Sequence, residues 1–215
     1  MRKKGLGPFF KGEIKVIRKN AKKLLIVLVA IILIIIVAIC IKKLMIKTLY
    51  KKDYSEYVTK YSQKYGVDEN LIYALIKAES NFDADAVSNK NAQGLMQLMF
   101  STAEEVAKKN GIELTEENIL NPDININIGT KYISTLLEKY ECVELAIAAY
   151  NAGIGNVDKW IEKGVIKPDG SDIENIPFKE TNTYVRKIIR DYKIYEKRDR
   201  VLNSVKTDQV PFYGI

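Results

Sequence analysis

Histidine is absent from all 215 residues, and cysteine occurs only as Cys40 and Cys142. The first absence excludes histidine-based triads and histidine metal sites; the second, with no CxxC pair, excludes a cysteine-held zinc. No intramolecular disulfide is expected, because Cys40 lies inside an apolar run, so the folded part relies on its core alone. Strand-like alternation is scarce and no internal repeat is visible. Acid–base chemistry therefore falls to carboxylates, with neither metal nor cofactor implied.

Leu24 to Ile41 is a run of eighteen residues without a charge, almost all Ile, Leu, Val and Ala. As a helix it extends about 27 Å, close to the hydrocarbon thickness of a bilayer. It is expected to cross a membrane. A cleaved secretory signal would need a shorter core and a small-x-small site, whereas this run ends Ala38-Ile39-Cys40-Ile41-Lys42-Lys43. Bulky Ile39 and Ile41 also argue against lipidation of Cys40. Nine basic residues and one acid, Glu13, precede the run, and Lys42, Lys43, Lys47, Lys51 and Lys52 follow it. The excess favours a cytoplasmic N-terminus and an outward C-terminal domain.

The chain carries a formal charge of +7, but residues 1–43 hold eleven basic residues against one acid, leaving 23 basic and 26 acidic residues for the rest. The basicity belongs to the anchor, where it suits anionic lipid heads. No basic patch of the kind that binds nucleic acid is expected. Arg186, Lys187, Arg190 and Lys193 read as the solvated face of a helix. The expected organisation is a basic cytoplasmic tail over 1–23, a transmembrane helix over 24–41, a stalk over 42–54, one domain over 55–200 and a tail over 201–215.

That domain reads as mainly α. Tyr54, Tyr57, Val58 and Tyr61 recur at helical spacing and stop at Gly66; Asp68 then caps a helix whose Leu71, Leu75 and Ala78 form one face. Ser101-Thr102-Ala103-Glu104 has the form of a capping box opening a helix that stops at Gly111. Pro122 opens another through about Leu137, Val143 to Tyr150 forms a short apolar one, and Thr181 to about Arg200 a long one. The segment from Gly164 to Pro177 reads as a loop on a cleft rim.

Glu79 stands four residues after Leu75 and eight after Leu71, on their core-facing stripe. Burial there raises the affinity of a carboxyl group for its proton, which suits a general acid. Asp83 and Asp85 offer no second carboxylate on this reading; they form a solvated turn. Met96 and Leu98 read as core, and Trp160 as either core or a sugar-stacking ring.

Around Glu79 the chain resembles the soluble-type (SLT) lytic transglycosylases, which share a goose-lysozyme-like domain. The resemblance lies in Glu79-Ser80-Asn81-Phe82, Ala86-Val87-Ser88, Ala92 through Met99, Thr102-Ala103, Asn121 through Gly129, and Ala148 through Gly153. It continues at Gly155, Val157, Glu180-Thr181 and Tyr184-Val185, covering about residues 55–195. Asn91 stands where the family usually has glycine, and Phe100 where it usually has proline. The resemblance implies a lysozyme-like helical fold and cleavage of peptidoglycan glycan strands. The bond is the β-1,4 link between N-acetylmuramic acid and N-acetylglucosamine, the product ends are 1,6-anhydromuramoyl, and Glu79 is the sole acid/base.

By the same resemblance Ser88 bonds the substrate near its acetamido group, and Gln97 and Met99 line the groove. Tyr150 positions or polarises the carboxyl, Asn151 supports its loop and meets sugar, and Glu180 and Tyr184 close the other wall. A hydrolytic muramidase on the same fold, or a glycan-binding envelope scaffold without turnover, remain as alternatives.

Overall fold

The computed structural model describes the backbone of residues 8–207 and the side chains of residues 20–200. The chain divides into two units at Lys51–Lys52. In the first, α1 runs Pro8–Leu49 as one helix, extending beyond the apolar run on both sides. The stalk expected over 42–54 is thus helical through Leu49. Its stretch Asn20–Leu49 is long and apolar enough to cross a membrane, and none of its most apolar window is buried against protein. The tail over 201–215 lies outside the residues whose side chains are described.

The second unit is built from α2 (Ser55–Tyr65), α3 (Glu69–Glu79), a two-stranded hairpin β1 (Ala92–Gln93) and β2 (Leu98–Met99), α4 (Phe100–Asn110), α5 (Pro122–Tyr140), α6 (Val143–Ala152), α7 (Ile154–Glu162) and α8 (Lys179–Thr207). Packing joins α3 to α8, α6 to both α5 and α8, and α2 to α5. The core is aliphatic: Leu71, Ile72, Ala74, Leu75 and Ile76 of α3 are buried with Leu145 to Ala149 of α6 and Val185 and Ile188 of α8. Each fully buried Leu or Ile contributes about 1.5–3 kcal/mol from apolar transfer. Such burial sets the helices against one another and leaves their ends to carry the site.

Several helix ends follow the sequence. Gly66, in the left-handed conformation at φ 66°, ends α2, and Asp68 caps α3 by accepting from the Asn70 amide. Asn121 caps α5 ahead of Pro122, satisfying the Asp123 and Ile124 amides. Others differ. The Ser101–Glu104 capping box is not formed, because α4 already starts at Phe100, with Met99 at the cap and no side-chain bond there. Pairing of Met99 with Ala92 in the hairpin leads the chain directly into the helix.

Helix α5 runs to Tyr140, α6 to Ala152, and α8 starts at Lys179 and passes Arg200. A helix not expected, α7, buries Val157 and Trp160. The 164–177 loop contains a single 3-10 turn, Ile173–Asn175.

Candidate active site

Glu79 is the last residue of α3. The helix stops there because Asn81 and Phe82 take left-handed backbone angles, φ 52° and 69°. Strain of that kind costs about 1–2 kcal/mol per residue for a side chain with a Cβ. Burial of the Phe82 ring beside Tyr73, at 6.4 Å between centroids, opposes it. The carboxyl is consequently left half-buried at the tip of a helix instead of being sealed in its middle. Burial raises its pKa from 4.5 to about 7, against the opposing influence of the Tyr184 hydroxyl and the Lys187 charge. The Tyr184 hydroxyl, from α8, donates a hydrogen bond to Glu79 Oε1.

The floor beside Glu79 is the loop Gly94 to Gln97, and side chains from three other segments hold its backbone. Ser80 Oγ donates to the Leu95 carbonyl at 2.9 Å, and Tyr150 Oη donates to the Met96 carbonyl at 2.8 Å. Asn125 is fully buried on α5 and uses both ends of its amide. Its Oδ1 accepts from the Met96 amide at 2.8 Å, and its Nδ2 donates to the carbonyls of Gln93 and Ile119 at 3.0 and 2.9 Å.

A polar group taken from water costs free energy unless its partners are replaced, and Asn125 is satisfied on both sides. Gly94 sits at φ 74°, and a Cβ there would collide with the Asn125 amide. Gly129 is needed for a related reason: a Cβ would occupy the place of the Met96 side chain.

The expected site residues are distributed unevenly. Tyr184 meets Glu79 directly. Tyr150 does not bond to it; the hydroxyl bonds the loop, while burial first and the Glu79 charge second push its phenol well above its ordinary value. Gln97, at φ 46°, donates its side-chain amide to the carbonyls of Ala86 and Gly94 at 3.0 and 2.9 Å, bracing the loop from within. Ser88 Oγ accepts from the Lys90 and Ala92 amides, closing the turn before β1. Both bonds use the oxygen, so the O–H proton remains to be donated.

Asn151 Oδ1 accepts from Thr181 Oγ1 at 2.7 Å, tying the end of α6 to the start of α8. Glu180 is exposed one residue earlier. Met99 is exposed and lines a cavity of about 430 Å³ with Asn91, Gln93, Phe100, Ser101 and Glu116. Glu79 is not in the wall of that cavity. Both departures from the family pattern, Asn91 and Phe100, are.

Met96 and Leu98 are core, as expected. Asp83 accepts from the Asp85 amide in a local turn. Trp160 is buried and meets the exposed Phe178 edge-on at 5.0 Å, so it is a core ring. Two residues that build the site have no role in the sequence reading: Ser80 and Asn125. For Asn125 a signal was present, since an Asn between Ile124 and Ile126 near the apolar face of a helix needs partners. Lys187 corrects an expectation. It is not on a solvated face, for its ammonium donates to the Ala78 carbonyl at 3.1 Å.

The family described as transglycosylase SLT domain matches residues 56–170. The soluble lytic murein transglycosylase of Salmonella typhimurium is 32% identical over 63% of this chain and 22% of its own. The membrane-bound lytic murein transglycosylase C of Serratia proteamaculans is 32% identical over 67% of this chain and 47% of its own. Among solved structures, an inactive Glu-to-Gln mutant of the lytic transglycosylase Slt from Pseudomonas aeruginosa superposes with a TM-score of 0.65. It is 34% identical and covers 70% of this chain and 25% of that one. The chain spans about a quarter of the length of the soluble relatives it matches. The family match takes in Glu79, the hairpin, Asn125 and Tyr150, and extends over more than half of the residues. The chain belongs to the SLT transglycosylase family.

Proposed function

We propose that this protein is a membrane-anchored peptidoglycan lytic transglycosylase, cutting the β-1,4 bond between N-acetylmuramic acid and N-acetylglucosamine with Glu79 as its only acid/base. The observation that carries the reading is the state of that carboxyl: half-buried at the end of α3, bonded to Tyr184, with its pKa near 7. A group of that kind is protonated in an appreciable fraction of molecules at neutral pH and is equally able to take a proton back. The inactive Glu-to-Gln mutant of the Pseudomonas aeruginosa relative is in keeping with a reaction that turns on one glutamate.

In the first half Glu79 gives its proton to the glycosidic oxygen. The bond from that oxygen to the muramoyl anomeric carbon breaks, and the substrate's acetamido oxygen closes on that carbon. In the second half the Glu79 carboxylate takes the proton of the muramoyl 6-hydroxyl, whose oxygen attacks the anomeric carbon and displaces the acetamido oxygen. The 1,6-anhydro ring results, Glu79 regains its proton, and no water is consumed. This differs from hydrolases that set two carboxylates about the bond.

Tyr184 steadies the carboxylate that forms between the halves. The Ser88 hydroxyl has a proton to offer the acetamido group, and Gln97 and Met99 form the hairpin side of the groove. Asn151, near the end of α6, supports its loop and meets sugar, and Glu180 and Tyr184 on α8 form the other wall. The apolar run over 24–41 anchors the protein with its N-terminus in the cytoplasm, which puts the domain over 55–200 on the wall side. The basic excess before the run supports that orientation.

The test is mass spectrometry of fragments released from purified peptidoglycan by the full chain in detergent, with Glu79→Gln in parallel. Anhydromuramoyl ends that vanish in the variant are expected. Reducible muramoyl ends would replace the lyase with a hydrolase, and binding without release would leave a scaffold. Protease added outside intact spheroplasts is expected to digest the C-terminal domain; protection would reverse the orientation.

A further inference from the structure

One face of α8 grips the last turn of α3 residue by residue. Tyr184, Lys187 and Asp191, spaced three and four apart and so on one side of the helix, meet Glu79, Ala78 and Lys77 in reverse order. The contacts are the Tyr184 hydroxyl on Oε1 of Glu79, Lys187 Nζ on the Ala78 carbonyl at 3.1 Å, and Lys77 Nζ at 3.7 Å from Oδ2 of the fully buried Asp191. Further along the antiparallel pair, Tyr192 donates to Asp68 at 3.1 Å and the rings of Tyr195 and Tyr73 stack at 5.6 Å.

The middle rung differs from its neighbours. Arg186 bonds Asn182 on its own helix, Arg190 pairs with Asp191, and Lys193 is exposed. Lys187 alone of that basic cluster turns toward the acid.

We propose that Lys187 is a positioning residue for the acid/base reaction: anchored on the carbonyl next to Glu79, its ammonium keeps the carboxyl able to release its proton as well as hold it. The inference rests on the reading of Glu79 as sole acid/base. A residue that must be acid in one half and base in the other is impaired by too high a proton affinity. Burial drives it up, and the neighbours available to oppose it are few. From α8 they are Tyr184 and Lys187; from α6 Tyr150 approaches, a neutral phenol pushed well above its ordinary value. On α3 itself Lys77 is engaged with Asp191. Among the described residues Lys187 is thus a cation with no carboxylate partner that acts on the site, and the half-buried setting screens it less than an exposed charge. Its direction of action on Glu79 is downward.

The test is the pH profile of kcat/KM for release of anhydromuramoyl fragments by the full chain in detergent, comparing Lys187→Gln, Lys187→Met, Lys187→Arg and Lys193→Gln. Glutamine retains a donor for the Ala78 carbonyl but no charge, which separates charge from anchoring. The alkaline limb, which reports loss of the acid's proton, is expected to move up by about 0.5–1 pH unit in Lys187→Gln and Lys187→Met. It is expected to stay in place in Lys187→Arg and Lys193→Gln. If Lys187→Met fails to fold, the glutamine variant, with a wild-type melting profile, decides. An unmoved limb in Lys187→Gln, or an equal shift in Lys193→Gln, overturns the proposal while leaving Glu79 as the acid. Activity that survives Glu79→Gln overturns the underlying reading, and is distinguishable because it appears in the parent comparison.

Discussion

Replacing Glu79 by glutamine should make the protein more stable at neutral and alkaline pH, and the gain should itself titrate. The wild-type carboxyl holds its proton to about pH 7 in the fold and to about 4.5 in the unfolded chain. Below 4.5 both states are protonated and the group contributes no difference. As pH rises from 4.5 to 7 the unfolded chain ionises first, so wild-type stability falls across that window and then levels off.

At about 1.4 kcal/mol per unit the full separation corresponds to about 3 kcal/mol, and partial access of solvent to the carboxyl reduces this to about 2–3. Glutamine is neutral throughout, matches the shape, and its Oε1 still accepts from Tyr184. The variant should therefore melt roughly 5–10 °C above wild type at pH 8 and within a degree or two of it at pH 4.5. Other titrating groups are common to both proteins and cancel in the difference. Trp160, the single tryptophan, lies buried against Phe178 and offers a fluorescence signal for the melt of the full chain in detergent. A difference in melting temperature that does not change between pH 4.5 and 8 would refute the reasoning.

Three further outcomes follow from the floor of the site. Tyr150→Phe removes the hydrogen bond to the Met96 carbonyl and should cost about 1 kcal/mol by thermal melting. Its activity should fall through kcat more than KM, since the loop and not the substrate loses its support. Asn125→Ala leaves the Met96 amide and two carbonyls without their partner inside the protein. A destabilisation of roughly 3 kcal/mol or more is expected in denaturant titration, and a change under 1 kcal/mol would mean the loop is held otherwise. Gly94→Ala combines a left-handed φ with a Cβ driven into Asn125 and should cost about 2–4 kcal/mol, with wall-cleaving activity lost even where folding survives.

Much of this architecture was open to inspection in the chain itself, and the exceptions have physical reasons. Helices α2 and α3 were readable because their apolar residues recur at helical spacing between a cap and a glycine, and Glu79 because it falls on the stripe those residues define. The hairpin escaped because two residues per strand are too few to show alternation. Helix α7 was hidden behind Gly153 and Gly155, which look like loop, although Val157, Trp160 and Ile161 are helically spaced. Lys187 was misplaced because periodicity assigns a residue to a face only when a neighbouring helix is known. Here α3 covers a position that a run of basic residues makes look wet. For Tyr150 the sequence indicates the neighbourhood but not the bond: a phenol at the end of α6 reaches either the carboxyl or the loop, and its hydroxyl takes the Met96 carbonyl of the loop.

The termination of α3 at Glu79 has one more consequence. The aligned peptide dipoles of a helix leave partial negative charge on its last carbonyls, and an anion placed there is disfavoured by about 0.3–1 kcal/mol. The field of α3 therefore favours the protonated acid, in the same sense as burial, and the ammonium on the Ala78 carbonyl lies on top of the very charge that creates this field. Proton affinity at the site is then partly a matter of where the backbone stops spiralling. A variant whose α3 continued through Asn81 and Phe82 would move the helix end away and lower the proton affinity of the carboxyl, so that fewer molecules carry the proton at neutral pH.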